Sequence, residues 1–143
     1  MTALTMTPRH ANLSQRGIKT QTRRVRQPGE RLGLYARADG QVVKAVFHAS
    51  GRVRWYVGCV RAIKTARIGR AVGWVQVVDL REARLGDITE ADATAEGYGA
   101  DTPGPAALTA IARFAAAWDD INGAGAFARN PDVWVIVYER VEA

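Results

Sequence analysis

The sequence predicts an α+β fold in which about six strands form a mixed or antiparallel β-barrel beside about three helices. Short segments of alternating apolar and polar residues are separated by hairpin turn signals such as Asp39-Gly40 and Ser50-Gly51. Residues 106–121 carry apolar side chains at helical spacing. The final segment, residues 133–141, is apolar on both faces, which predicts a central strand covered on both sides.

The expected elements of the first half follow from local signals in chain order. Residues 2–6 are compatible with a short strand, and Pro8 suits the first turn of a helix that runs to Arg16 and ends at Gly17. A basic loop spans residues 58–70, with room for a short strand around Val60. Between the helix and this loop, strands are expected at residues 20–25, 31–37, 42–47 and 52–57.

The second half predicts two strands and two helices. A strand is expected at residues 71–80, a loop at 101–105 and a final strand after the turn Asn130-Pro131. The helix at 106–121 places one set of apolar residues on a single face, namely Leu108, Ile111, Ala115 and Trp118. A short helix within 85–97 is indicated by the capping-box pair Thr89 and Asp92 and by the terminal Gly97.

Length and composition predict one globular domain over residues 1–143. Of the 143 residues, 48% are apolar and 24% are charged. The single cysteine, Cys59, excludes an intramolecular disulfide and is expected in the core. No apolar run is long enough to span a membrane, and residues 1–10 lack the layout of a secretion signal. We therefore expect a cytoplasmic protein with no membrane association and no obligate protein partner.

Charge is distributed unevenly along the chain, whose formal net charge is +6. Residues 1–72 hold 15 Lys and Arg against 2 Asp and Glu, whereas residues 73–143 hold 5 against 12. A half this basic indicates an anionic partner, most commonly nucleic acid. The alternative is that the two halves neutralise each other across the protein's own surface.

Residues 17–24, GIKTQTRR, concentrate amine, hydroxyl and guanidinium groups directly after the predicted helix end. A regular strand would direct Lys19 and Thr22 to opposite faces, so Lys19 must lie in the turn before the strand if they are to converge. Arg23 and Arg24 are expected to lower the pKa of Lys19, and a neutral lysine can act as a general base toward a threonine hydroxyl. The alternative is an exposed basic strand that only touches phosphate or solvent.

Metal and cofactor chemistry finds little support. His10 and His48 are the only histidines, which argues against a Ser-His-Asp triad and a multi-histidine metal site. No carboxylate spacing resembles a metal site, and no glycine-rich phosphate loop precedes a helix. We therefore predict no metal and no cofactor.

GIKTQTRR at 17–24 resembles the GxKTxTxR signature of the ASCH family, whose small domains have a PUA-like β-barrel. Further segments fit the family in the same order, namely PGERL at 28–32, GWVQVVDLR at 73–81, RLGDITEADATAEG at 84–97, AWDDING at 117–123 and NPDVWVIVYERV at 130–141. The helix at 106–121 and the basic loop at 61–70 are additions that resemble longer members encoded by phages and mobile elements. Ile18 departs from the usual arginine of the signature.

The resemblance implies a cleft that binds RNA or nucleotides, and some members are amidohydrolases that deacetylate N(4)-acetylcytidine. Their catalytic lysine, threonine and glutamate fall on Lys19, Thr22 and Glu96, and the arginine after the motif falls on Arg24. In such an enzyme Thr22 is the nucleophile and Lys19 its base, while Glu96 orients Lys19 or carries a proton. The alternative for Glu96 is a solvated carboxylate at the end of a helix.

Three functions follow, and the first is an RNA- or nucleotide-binding ASCH domain with a basic cleft at Lys19–Arg24. Its phosphate contacts are expected from Arg23, Arg24, Lys64, Arg67 and Arg70. The bases of the bound ligand would stack on Trp55, Tyr56 or Trp74, unless these rings pack in the core. The second function is the amidohydrolase acting on N(4)-acetylcytidine or a related nucleoside. The third is a ribonuclease that uses Lys19, Arg24 and Glu96.

Overall fold

Strands and helices alternate along the computed structural model, which describes residues 2–99, 101–105 and 107–142. The strands are β1 (Leu4–Thr5), β2 (Gln21–Val25), β3 (Arg31–Ala36), β4 (Val42–Phe47), β5 (Val53–Tyr56), β6 (Val60–Lys64), β7 (Gly73–Arg84) and β8 (Asp132–Val141). The helices are α1 (Pro8–Gln15), α2 (Glu90–Ala95) and α3 (Ala110–Asn122). Within these described ranges, no helix has the length and apolar character needed to cross a bilayer.

The strands form two sheets. The larger sheet has the order β1-β6-β7-β8-β2, and the smaller has the order β3-β4-β5. β1 and β6 are parallel, whereas the other neighbouring pairs are antiparallel. The long strand β7 changes register against β8 between Val77 and Asp79, and such a bulge bends a sheet. The larger sheet curls into a half-barrel, which confirms the predicted α+β class.

The part of the chain that the structure describes has eight strands instead of about six, because β1 and β6 are formed. β6 is the short strand that the sequence allowed around Val60, and it takes up the first part of the predicted basic loop, so the exposed loop starts only at Thr65. The side chain of Arg61 faces the core, where an apolar residue is usual. Its Nη2 donates to the carbonyl of Arg54 at 2.6 Å, which satisfies part of the buried guanidinium.

Two hydrophobic cores lie on opposite faces of β8. Trp134, Ile136 and Tyr138 belong to the first core, which also holds Cys59 as expected. Val133 and Val135 belong to the second core, together with Leu85, Ile88, Ala93, Ala110 and Phe114. The prediction of a central, doubly covered final strand is confirmed.

α3 starts later than expected, and only part of its expected face packs. Its N-cap is Thr109, so Leu108 precedes the helix and is exposed, while the expected start, Ala106, lies outside the described residues. Ile111 and Trp118 of the expected face are partly buried against the second core. The buried side chains of the helix are those of Ala110, Arg113 and Phe114, and the Arg113 guanidinium donates to two loop carbonyls, those of Gly99 and Pro105.

Candidate functional site

A cavity of about 420 Å³ lies beside the ends of α1 and α2, strand β2 and helix α3. Small-molecule sites usually occupy roughly 300–1,000 Å³, so this volume suits one compact ligand. Its polar lining includes His10, Lys19, Thr22, Arg24, Arg54 and Glu96, and its aromatic lining comprises Tyr98, Phe114 and Trp118. The cavity thus combines ionisable groups with a wall on which a flat ring can pack.

The backbone at the end of α1 determines where Lys19 lies. Gly17 adopts a φ of 74°, which reverses the chain after the helix. The amide of Lys19 then donates to the carbonyl of Leu13 at 3.1 Å, and the amide of Thr20 donates to that of Ala95 at 2.8 Å. Lys19 therefore precedes β2 and is fixed between α1 and the end of α2, as convergence with Thr22 required.

Lys19 and Glu96 form a buried pair. The Lys19 Nζ donates to the Glu96 backbone carbonyl and lies 3.3 Å from Glu96 Oε1. Both residues are more than nine-tenths buried, although Glu96 is the C-cap of α2. A carboxylate is unfavourable at this end of a helix, and the two cations Lys19 and Arg23 compensate for it. Glu96 is therefore not the solvated helix-end carboxylate of the alternative interpretation.

Arg23 occupies the other side of the same carboxylate. Its Nη1 donates to Glu96 Oε2 at 2.9 Å, and its Nη2 lies 3.4 Å from Asp92 Oδ2. Gln21 Oε1 accepts a further hydrogen bond from Nη1 at 3.0 Å. Arg23, which was predicted to contact phosphate, therefore has a buried guanidinium that is bound to two carboxylates.

Thr22 and Arg24 share one face of β2. The Arg24 Nη1 donates to Thr22 Oγ1 at 2.6 Å, and Nη2 donates to the carbonyl of Thr5 at 3.0 Å. Thr22 is buried but lines the cavity. Because a guanidinium only donates, the hydroxyl proton of Thr22 remains available to another acceptor.

The surroundings of Lys19 lower the pKa of its amine. Burial lowers this pKa below 10.5, Glu96 opposes the shift, and Arg24 and Arg23 add to it. The predicted direction is right, but burial contributes more than the neighbouring arginines that the sequence indicated.

An ASCH domain from Lactobacillus crispatus JV V101 has a similar solved structure, with a TM-score of 0.52 and 13% sequence identity. The match covers 91% of this chain and 69% of that chain. This chain has the fold of an ASCH domain. No protein-family model and no curated protein matches the sequence. Since the similarity concerns the ASCH fold alone, the chemistry of the cavity has to be argued from its own residues.

Sequence reasoning missed the role of His10 in this ASCH-fold cavity. The centroid of its ring lies 4.9 Å from that of the Tyr98 ring. The ring also packs closely on the backbone of Gly97, since a Cβ at that position would lie 3.0 Å from both Cε1 and Nδ1 of His10. Burial, and then the charges of Lys19 and Arg9, lower the pKa of His10 to about 4. The cavity therefore presents a neutral imidazole near Lys19. No local signal in the sequence distinguished this histidine.

The sequence analysis also did not identify Arg54 as a cavity residue. The position of its side chain depends on Glu30 in the segment PGERL. The buried carboxylate of Glu30 accepts from the amide of Gln27 at 2.8 Å, from Trp134 Nε1 at 3.0 Å and from Arg54 Nη1 at 2.7 Å. Burial alone would raise the pKa of Glu30, but these hydrogen bonds lower it below 4.5. The Arg54 Cζ lies 4.0 Å from the centre of the Trp55 ring.

Several predicted phosphate and base contacts lie elsewhere. Lys64 ends β6, and Arg67 and Arg70 are exposed in the following loop; none of the three lines the cavity. Trp55 is buried in the first core, whereas Trp74 on β7 is 46% exposed. Among the described residues, no group of three or more His, Cys, Asp or Glu side chains is arranged to hold a metal ion.

Proposed function

We propose that this ASCH-fold domain hydrolyses the amide bond of an acylated nucleoside or similar compact ligand. The observation that carries the proposal is the arrangement of Lys19, Thr22 and Glu96 along one cavity, with Lys19 and Glu96 in direct contact. A buried amine with a lowered pKa in the same cavity as a buried hydroxyl suits nucleophilic catalysis. The resemblance of residues 17–24 to the ASCH signature makes N(4)-acetylcytidine the first substrate to test.

In the proposed reaction the Thr22 oxygen attacks the acyl carbonyl while the neutral Lys19 amine takes the hydroxyl proton. The bond between the carbonyl carbon and the nitrogen then breaks, and Lys19 returns the proton to the leaving amine. Water attacks the resulting threonine ester, Lys19 accepts the water proton, and the carboxylic acid leaves as Thr22 regains its hydrogen. Atoms and charge balance in both halves of the cycle.

Arg24 and Glu96 would assist without forming covalent bonds. The Arg24 guanidinium is already 2.6 Å from the Thr22 oxygen, where it stabilises negative charge that develops during attack. Glu96 holds Lys19 through both its side chain and its carbonyl, which fixes the amine in the cavity. Arg23 is a positioning residue, because it acts through Glu96.

The size and lining of the cavity support one flat, compact substrate. Phe114 lies edge-on to Tyr98 at 5.6 Å between ring centroids and 5.8 Å from Trp118. This aromatic wall belongs largely to α3, the helix that the shorter family members lack. The proposed role of α3 is therefore to close the cavity around the base.

The test is incubation of the purified protein with N(4)-acetylcytidine and chromatographic measurement of cytidine. We expect Lys19→Ala and Thr22→Ala each to lower kcat at least about a hundredfold. Lys44→Ala removes a lysine that instead pairs with Asp79 at 2.8 Å and should retain activity. Turnover that survives Lys19→Ala would exclude Lys19 as the base.

A second candidate function, binding of single-stranded RNA, is favoured by a separate observation on β7. Trp74, near the start of β7, is 46% exposed. The loop that leads from β6 into β7 carries the exposed Arg67 and Arg70. An exposed ring beside basic side chains is typical of single-strand binding surfaces. We expect affinity for a short RNA to fall with salt and with Trp74→Ala. Unchanged affinity in Trp74→Ala would remove this candidate.

A further inference from the structure

We propose that Arg54 forms an anion-binding subsite that selects ligands carrying a phosphate group over neutral nucleosides. The inference deepens the proposed function and rests on it for the identity of the flat ring. The guanidinium lines the same cavity as Lys19 and Thr22. Because the same cavity holds the reactive residues and the Arg54 guanidinium, this subsite would determine which substrates bind.

The Arg54 side chain is held rigidly. Its guanidinium stacks over Trp55 at 4.0 Å, its Nη1 is bound to Glu30 Oε2 at 2.7 Å, and its backbone carbonyl accepts from Arg61 at 2.6 Å. Such fixing removes much of the entropy cost that a free arginine incurs when it binds an anion. The arrangement is therefore preorganised for a ligand.

Glu30 anchors one edge of Arg54 and leaves the other edge open. The carboxylate is already occupied by the Gln27 amide and Trp134 Nε1. Within the described ranges, Arg54 Nη1 makes the only hydrogen bond of this guanidinium, so Nη2 and Nε remain available to a ligand. An arginine edge with two free N–H groups suits the paired oxygens of a phosphate.

A second guanidinium lies within electrostatic reach. Arg24 lines the cavity, and no carboxylate of the described residues forms an ion pair with it. Burial lowers the pKa of Arg24, Glu96 and Tyr138 oppose the shift, and the charge of Arg54 adds to it, as expected for two neighbouring cations. A bound phosphate would relieve this repulsion, which a neutral nucleoside cannot do.

The chemistry of the cavity therefore favours a ligand that joins a flat ring to a phosphate. The ring would pack against Tyr98, Phe114 and Trp118, and the phosphate would bind Arg54. Both a nucleoside monophosphate and one nucleotide of an RNA chain offer this combination. The phosphate is the shared feature, and the ligands compared below distinguish its two sources.

The test is calorimetric binding of cytidine, cytidine 5′-monophosphate and a cytidine trinucleotide at low ionic strength. We expect the monophosphate to bind at least about tenfold more tightly than cytidine, and Arg54→Gln to abolish this preference. Arg52→Gln is the matched control, because Arg52 is exposed and outside the cavity, and it should keep the preference. Trinucleotide binding tighter than that of the monophosphate would identify RNA as the phosphate source, and weaker binding a free nucleotide.

The proposal is overturned if wild-type protein shows no preference, if Arg54→Gln keeps the preference, or if neither cytidine nor its monophosphate binds. If Arg54→Gln does not fold by circular dichroism, Arg54→Lys replaces it, since a lysine keeps the charge opposite Glu30 but loses the planar edge. We expect Arg54→Lys to reduce the preference severalfold. None of the probes carries an acyl group, so the binding test is independent of the hydrolysis test. Hydrolysis of N(4)-acetylcytidine without a preference for phosphate contradicts only the Arg54 subsite. A preference for phosphate without hydrolysis contradicts only the proposed hydrolase.

Discussion

Lys19 can act as a base only when it is uncharged, and its neighbours determine when that happens. Its ammonium is removed from water, which disfavours the charged form, while Glu96 stabilises that form at 3.3 Å. Arg23 competes for the same carboxylate at 2.9 Å. The free energy of protonation therefore belongs to the buried cluster and not to the lysine alone.

The rate of amide hydrolysis should rise with pH as Lys19 loses its proton, with a midpoint below 10.5. Arg23→Gln removes a neighbouring cation and frees Glu96 for Lys19, and both changes raise the pKa of Lys19. We expect the midpoint of the kcat/KM profile to move to higher pH in this variant. Steady-state rates across the pH range provide the measurement.

Arg26→Gln is the matched control for this shift. Arg26 lies outside the cavity and pairs with Glu82 at 2.8 Å on the partly exposed surface. We expect the control variant to keep the wild-type midpoint. The same midpoint in Arg23→Gln as in Arg26→Gln would contradict the assigned role of Arg23.

His10 should make stability depend on pH in a defined window. Its pKa is about 4 in the folded protein and near 6.5 when unfolded, so the unfolded chain binds the proton first as pH falls. Stability is complete above about 6.5 and declines as pH falls toward 4. We expect His10→Gln to reduce this slope in urea denaturation, and the control His48→Gln, whose side chain is 45% exposed, to keep it. Equal slopes in His10→Gln and wild type would contradict the burial of His10.

The site residues were predictable to different degrees. Lys19, Thr22 and Glu96, which line one cavity, were expected from the resemblance to the ASCH family, and the position of Lys19 before β2 followed from Gly17 and strand geometry. Arg54 could not be found this way, because its role depends on Glu30, which lies 24 residues away in sequence. The direction of the Arg23 side chain depends on α2 packing across β2, which no local pattern encodes.

Helix α3 packs against α2 in the second core and is also joined to it by one carboxylate. Glu90 Oε2 accepts from the amide of Ala110 and Oε1 from that of Ile111, both at 3.0 Å. These amides belong to the first turn of α3, whose positive dipole end favours a carboxylate. Glu90 thereby connects the helix that carries the aromatic wall to the helix that carries Glu96.

Glu90→Ala should weaken the docking of α3 and widen the aromatic wall. We expect a loss of about 1 kcal/mol in unfolding free energy, which is typical for removal of a helix cap. KM should rise more than kcat falls, because Lys19 and Thr22 do not lie on α3. Urea denaturation and steady-state kinetics are the measurements.

Asp120→Ala serves as the control, since Asp120 is exposed on the same helix. It removes an acidic side chain without touching the first turn, and we expect stability within about 0.5 kcal/mol of wild type. A Glu90→Ala variant that matches Asp120→Ala in stability and KM would show that this cap does not position the wall.

Local signals predicted the elements whose ends carry their own capping residues. The capping box of Thr89 and Asp92 is formed as expected, and Gly17 ends α1. β6 was expected only as a short strand around Val60 within a loop, because the buried Arg61 interrupts the apolar alternation that identifies strands. α3 was expected to begin earlier because Thr109, its true N-cap, lies within a run of otherwise helix-compatible residues.

For the whole molecule, the uneven charge of the sequence is partly explained by contacts between its halves. Basic residues of the first half pair with acidic residues of the second in Lys19–Glu96, Arg23–Asp92, Arg26–Glu82 and Lys44–Asp79. These pairs support the interpretation that the halves neutralise each other. The exposed Arg67 and Arg70 remain available for an anionic partner.

Because β8 separates the two cores, both should unfold together. Ile136 is fully buried in the first core, and its neighbour Val135 is fully buried in the second. We expect Ile136→Ala to cost about 2–5 kcal/mol and to shift near- and far-ultraviolet circular dichroism transitions equally. Val141→Ala, at the exposed end of β8, should change little. Two separate transitions would contradict coupling through β8.

Peptide mass mapping of an acid-quenched reaction with N(4)-acetylcytidine tests whether hydrolysis proceeds through an acyl group on Thr22. We expect cytidine release together with an acetyl ester on the peptide that contains Thr22. We expect neither in Thr22→Ala. Absence of cytidine release, or release without acetyl on that peptide, would contradict covalent hydrolysis at Thr22.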